Sequence, residues 1–71
     1  MEYLVVIEKS ENSYGAYIPD LPGCVAVGST RREALRLIRE AVTLHIEGLR
    51  NKGEPIPPAT SKSEMIKIRA A

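Results

Sequence analysis

The spacing of apolar residues changes several times along the chain and predicts a series of short elements. Residues 3–9, "YLVVIEK", are rich in β-branched side chains and apolar on both alternating faces, which predicts a covered strand. Residues 14–18, "YGAYI", follow a polar turn cluster and complete a hairpin, and residues 24–28, "CVAVG", predict a third strand. Residues 64–70, "EMIKIRA", alternate apolar and polar side chains, which predicts a half-buried last strand.

A helix is predicted between the third and the last strand. Thr30 and Glu33 have the spacing of a capping box, in which each side chain accepts a hydrogen bond from an unpaired backbone amide. The helix is expected to end near residues 51–52, because Gly53 and then Pro55 stop it.

The order β-β-β-α-β predicts a two-layer α+β fold over residues 1–71, taken as one domain. The helix lies on one face of a mixed sheet of strand order 3-2-1-4, in which the last strand runs parallel to the first. The other face of this sheet is left bare.

The apolar arc of the predicted helix covers roughly 200°, whereas a helix on one sheet needs a stripe of just over about 100°. The first strand is also apolar on both faces, and the core has no Trp or Phe to fill it. Small aliphatic cores often depend on a second chain. These features predict a homo-oligomer, a dimer or a tetramer.

Composition and charge give no indication of a nucleic-acid or membrane partner. A net charge of +1 does not call for nucleic acid or an acidic membrane surface, and no apolar run is long enough to span a membrane. The outer face of the helix carries arginines, but glutamates at helical spacing neutralise them. Without a signal peptide in the sequence, we expect a soluble, cytoplasmic protein.

The histidine, the cysteine and the carboxylates of this sequence are not grouped as catalytic or metal-binding residues usually are. His45 lies within the apolar arc and is interpreted as a buried neutral histidine, and Cys24 as a small buried hydrophobe. Carboxylates that could hold magnesium stand at the ends of elements, whereas two-metal sites need convergent strand centres. We therefore predict no catalytic residue, no metal and no cofactor. Those carboxylates are Asp20, Glu8, Glu11 and Glu64.

The stretch "YIPDLPGC", residues 17–24, poses a separate question. Pro22 and Gly23 fit the two central positions of a type II turn. An Asx-turn at Asp20 would need the amide of the residue two positions on, which is Pro22 and has none. Asp20 is therefore expected either to accept a hydrogen bond from the Gly23 amide or to contact a partner, and both alternatives remain open.

This stretch, with the capped helix and the later "GEPIP", resembles the HicB-like antitoxin family. The similarity extends over nearly the whole chain, and the combination of motifs is more specific than any one of them. It implies a partially degraded ribonuclease-H-like fold of β-β-β-α-β type. The matched motif residues, read mostly as determinants of backbone shape, are Tyr17, Pro19, Asp20, Pro22, Gly23 and Cys24, and then Gly53, Glu54, Pro55 and Pro57.

The resemblance implies an antitoxin that binds a HicA-like, messenger-RNA-cleaving toxin and covers its active site. The alternative is an orphan oligomeric domain with a structural or small-ligand role. Because many family members append a DNA-binding domain after the point where this sequence stops, we expect no direct specific binding of DNA. The residues predicted to contact the toxin are Tyr14, Tyr17, Pro19, Asp20 and Leu21.

Overall fold

The sheet and helix follow one another along the chain with short connections. The computed structural model describes residues 1–70 and contains strands β1 (Val6–Lys9), β2 (Tyr14–Tyr17) and β3 (Val25–Gly28), followed by helix α1 (Arg31–Asn51). The strands form one antiparallel sheet in the order β1-β2-β3. The predicted α+β class, with three antiparallel strands and one helix, is confirmed.

The alternation of side chains along each strand separates a helix side from a bare side. Ile7, Ala16 and Ala26 stand in register across the sheet and all belong to the packed core. Because successive strand residues point to opposite faces, their neighbours in sequence point away from the helix. The fully buried apolar residues are Ala16, Ile18, Leu21, Cys24, Ala34 and Ile38.

Hydrogen bonds donated by backbone amides close both ends of α1, with side-chain acceptors at the start and backbone carbonyls at the end. At the start, the Glu33 amide donates to Thr30 Oγ1 at 3.0 Å, and the Ser29 amide donates to Glu33 Oε1 at 2.7 Å. At the end, Gly53 has φ +69°, and the Glu54 amide donates to the Leu49 carbonyl at 2.9 Å. This is a Schellman closure, which releases the chain from the helix at the predicted place.

The helix lies over one side of the sheet. It packs most closely on β3, less on β2 and least on β1. Gly28 makes the close approach possible, because a Cβ there would stand 2.6 Å from the Ala34 amide nitrogen. The part of the helix-side face next to β1 is therefore covered less than the rest.

The predicted fourth strand is not confirmed, and neither are the strand order 3-2-1-4 and the ribonuclease-H-like arrangement that depend on it. Within residues 52–70 the structure contains no strand. Alternating apolar residues form a strand only where an edge offers backbone partners and a surface covers one face. Residues 62–70 reach neither, and Met65, Ile66 and Ile68 are 96%, 79% and 81% exposed.

This extended segment makes the chain long for its size. The radius of gyration is 14.3 Å and the longest dimension is 52 Å. A compact chain of this length would have a radius of gyration of about 11 Å. The C-terminal segment thus projects from the packed part of the molecule.

Candidate interaction surface

Two consecutive turns connect β2 to β3. The Leu21 amide donates to the Ile18 carbonyl at 3.0 Å, and the Cys24 amide donates to the Leu21 carbonyl at 3.0 Å. Gly23, at the third position of the second turn, has φ +86°. Pro22 supplies the preceding fixed φ, so the second turn has the predicted type II pattern.

Asp20 is the third residue of the first turn and binds a distant part of the chain. Its carboxylate accepts the backbone amides of Thr60 and Ser61 at 3.0 and 2.9 Å. It also accepts the hydroxyls of the same two residues at 3.2 and 2.8 Å. The hydrogen bonds from the Ser61 amide and hydroxyl, followed by those from Thr60, lower the pKa of Asp20 below its ordinary value of 3.8.

The carboxylate of Asp20 is thus occupied by the connector, residues 52–61, rather than by Gly23. Sequence reasoning missed Thr60 and Ser61 as its partners. The available signal was a pair of hydroxyl residues directly after a proline-rich stretch, which offers two amides and two hydroxyls together. Their distance of about forty residues from Asp20 in the sequence hid the pairing.

The bare face of the sheet displays apolar side chains from all three strands. Tyr17 stands in register between Val6 on β1 and Val25 on β3. Tyr17 is 38% exposed, and Val25 and Val27 are 63% and 65% exposed. Contiguous exposed apolar groups of this kind mark interaction sites, with tyrosine suited to the anchoring position.

The residues predicted to contact a toxin are placed differently from one another. Tyr17 and Pro19 are exposed, on the bare face and at the turn beside it. Tyr14 packs against the core, and Leu21 is fully buried, so its side chain has no surface to offer a partner. The sequence had not singled out Val25, which the strand register pairs with Tyr17, or Val27, which it pairs with Gly15 on the same face.

A groove lies between the helix and the segment that leads into β1, residues 1–5. Its volume is about 550 Å³, and it is open to solvent. Apolar side chains of both layers form much of its lining: Val5, Ile18, Ile38 and Val42. It occupies the part of the sheet face that the helix covers least.

The isolated titratable residues differ from one another in burial. Cys24 is 3% exposed, and burial raises the pKa of its thiol. His45 is half-buried, whereas the sequence pattern predicted a buried histidine. Within residues 1–70 no three His, Cys, Asp or Glu side chains cluster as metal ligands would.

The arginines of α1 lie among glutamates, as the sequence pattern indicates. Arg36 pairs with Glu40 at 3.4 Å on the solvent side of the helix. Such an exposed pair contributes little stability, but it reduces the positive charge available to phosphate. No helix in the described part of the chain is long and apolar enough to cross a membrane.

The three-stranded sheet and its single helix define a small α+β domain. The family described as HicB_like antitoxin of bacterial toxin-antitoxin system matches residues 3–70. The chain therefore belongs to the HicB-like antitoxin family.

Known relatives support this assignment. The chain is 45% identical over 58 residues to a UPF0150 protein of Thermoplasma acidophilum, covering 80% of this chain and 84% of the relative. It is 36% identical over 66 residues to a 14.9 kDa protein of Haemophilus phage HP1, covering 93% of this chain. It spans only half the length of that phage protein.

A solved structure is also similar. A chain in the HicA3 and HicB3 toxin-antitoxin complex superposes with a TM-score of 0.71 at 35% sequence identity. The match covers 83% of this chain and 70% of that one. The similarity thus extends from sequence to the arrangement of sheet and helix.

Proposed function

We propose that the protein is an antitoxin that binds and neutralises a small, HicA-like toxin that cleaves messenger RNA. Family membership supports the general role, and the solved complex of a similar chain supports a toxin as the partner. The observation that carries the proposal on this chain is the exposed apolar row of Tyr17, Val25 and Val27. We expect this action in the cytoplasm, where messenger RNA is found.

Tyr17 is the proposed anchor of the contact. It stands at the middle strand of the sheet, in register with Val6 and Val25 on the two flanking strands. Side chains at the centre of an interface, surrounded by groups that exclude water, usually carry most of the binding energy. Pro19 extends the same surface at the turn.

Asp20 has an indirect part in this proposal. Its four hydrogen bonds hold the connector, so it fixes the shape of the turn beside Pro19 rather than offering an unoccupied carboxylate. A turn fixed in advance loses less conformational entropy when a partner binds.

The test is a titration of this chain with a purified HicA-like toxin from the same organism, followed by calorimetry and an RNA-cleavage assay. We expect Tyr17→Ala to weaken binding by roughly 30-fold or more, the range of an interface anchor. Leu44→Ala is the matched control, because Leu44 is also exposed, at 68%, but lies on the helix. It should leave binding unchanged.

Two results would contradict the proposal. If the Tyr17→Ala variant binds the toxin as tightly as the wild type does, the bare face is not the toxin contact. If the wild type binds no such toxin, the alternative applies, an orphan oligomeric domain with a structural or small-ligand role. The apolar residues exposed in the C-terminal segment favour an oligomer in either case.

We also propose that this chain has no catalytic activity and does not bind DNA specifically. β1 carries one carboxylate, Glu8, but within residues 1–70 it belongs to no group of three acidic, histidine or cysteine side chains that could hold the metal ion of such a nuclease. Glutamates share its helix with the arginines, and the pairing of Arg36 with Glu40 lowers the positive charge that this face could offer to phosphate. A mobility shift that survives moderate salt and competitor DNA would contradict the second statement, because nonspecific binding weakens steeply with salt.

A further inference from the structure

The C-terminal segment has the pattern of a strand but no partner within its own chain. Ile66 and Ile68 fall on one side of an extended backbone, and Met65, Lys67 and Arg69 fall on the other. Every residue from 62 to 70 is exposed. An apolar stripe of this kind is buried when the segment joins a sheet.

The connector leads this segment away from the β1 edge of its own chain. The Tyr3 hydroxyl, just before β1, donates to the Pro57 carbonyl. A few residues later, Asp20 in the β2–β3 turn holds Thr60 and Ser61. The chain has therefore passed from the β1 side to the β2–β3 turn before the C-terminal segment begins.

We infer that residues 64–69 form a fourth strand on the outer edge of β1 in a second copy of the chain. The exchange is reciprocal in a two-fold dimer, so each copy supplies one strand and receives one. The resulting sheet has the order 3-2-1-4 and closes the unpaired edge of β1. This deepens the homo-oligomeric part of the prediction and does not depend on a toxin.

The groove beside β1 explains why the strand belongs at this edge. It is open and about 550 Å³ in volume, and its lining combines apolar Val5, Ile38 and Val42 with polar Arg39 and Thr43. A strand added next to β1 with its isoleucines on the helix side would place Ile66 beside Val5, at that groove, and Ile68 beside Ile7 on the same face of the sheet. At the β3 edge, the close contact between Gly28 and Ala34 leaves little room for two isoleucines.

Charge favours the same edge and sets the direction. With Ile66 and Ile68 beside Val5 and Ile7, a parallel strand places Arg69 beside Glu8 on the bare face. An antiparallel strand in that register would place Met65 there instead. β3 carries no acidic residue, so at its edge Lys67 and Arg69 would lie beside valines.

The first experiment is disulfide trapping in the chain carrying Val6→Cys and Lys67→Cys. In the proposed register these residues are neighbours on adjacent strands, about 5 Å apart and within the span of a disulfide. Cys24 is buried and does not compete. We expect oxidation to give a covalent dimer on a non-reducing gel.

The control pairs Lys67→Cys with Val27→Cys, which places the second thiol on β3 at a more exposed position than Val6, so that access to the thiol does not limit the control. Little covalent dimer is expected from it. A covalently closed monomer from the Val6 pair would mean that the strand folds back onto its own chain. This closed monomer would overturn the inference. So would the absence of any disulfide in the Val6 pair, or a covalent dimer formed by the Val27 pair.

The second experiment measures association by sedimentation equilibrium. Ile66→Asp with Ile68→Asp should weaken dimerisation by roughly 100-fold or more, because two isoleucines lose their burial. Ser63→Asp with Ala70→Asp adds the same charge to the ends of the segment and should change association by less than about fivefold on this scale. Circular dichroism checks that both variants keep the helix.

Both experiments use the protein alone, so failure to bind a toxin would leave their outcome unaffected. A wild type that stays monomeric at high micromolar concentration would overturn strand exchange. So would a dimer that the paired aspartates do not weaken. Neither result would contradict a toxin contact through Tyr17.

Discussion

Asp20 and Ser61 are joined by two hydrogen bonds, of 2.9 Å to the backbone amide and 2.8 Å to the hydroxyl. Two more from Thr60 complete the contact. The turn after β2 and the end of the connector are thus fixed to each other, although the helix and a strand separate them in sequence. This contact decides where the C-terminal segment leaves the packed part of the molecule.

Asp20→Asn should loosen this contact. The amide keeps one acceptor oxygen, but it replaces the other with a donor that faces the donors of Thr60 and Ser61. We expect faster hydrogen exchange at the amides of residues 60 and 61 and a lower melting temperature. Glu54→Gln is the control, since it makes the same charge change on an exposed part of the connector and should alter neither. Unchanged exchange in the Asp20 variant would contradict the role assigned here.

The same contact makes stability depend on pH. Because the pKa of Asp20 is lowered in the folded chain, its carboxylate stabilises the fold above the unfolded pKa, near 3.9. That stabilisation is lost as the pH falls through the lower, folded pKa. The difference in unfolding free energy between wild type and Asp20→Asn should therefore be constant from pH 7 to about 5 and shrink toward pH 2. A difference that does not change over this range would refute the linkage.

Gly28→Ala should destabilise the fold by about 1–3 kcal/mol, the usual cost of overpacking. The added Cβ would meet the backbone of Ala34 at 2.6 Å, and a backbone cannot rotate away as a side chain can. Gly15→Ala is the matched control on the neighbouring strand, because nothing lies within 4 Å of its Cβ position. Urea unfolding of the two variants measures the difference. Equal midpoints would contradict the close approach of α1 to β3.

Thr30→Ala should cost about 1 kcal/mol by removing the hydroxyl that accepts the Glu33 amide. Thr43→Ala, on the exposed side of the same helix, removes a similar hydroxyl that only donates to the Arg39 carbonyl. Since alanine favours a helix interior, this control should be neutral or slightly stabilising. Thermal unfolding followed by circular dichroism at 222 nm separates the two. A Thr30 variant as stable as the control would show that the cap contributes nothing.

Local chemistry explains what could be predicted from the sequence. The turn at Pro22 and Gly23, the cap at Thr30 and the helix end at Gly53 each depend on residues a few positions apart. Their backbone preferences act whatever the rest of the chain does. The strands of the hairpin were predicted for the same reason, with ends that differ by a few residues.

The remaining features depend on contacts between distant parts of one chain, or between chains. The partner of Asp20 is about forty residues away, and no local rule selects it among the available donors. The pattern of residues 64–70 predicts a strand, but pattern alone does not say which edge receives it. The exposure of Val25 and Val27 follows from the register of β2 and β3 and from the side on which the helix packs.

The exposed C-terminal segment has a consequence for the lifetime of the protein in the cell. Proteases cut extended, unpaired chain ends far more readily than strands within a sheet. If residues 64–69 pair only in the dimer, dilution exposes them and accelerates degradation, which dilutes the protein further. Its abundance would then respond to synthesis with a threshold, remaining high above the dimerisation constant and collapsing below it.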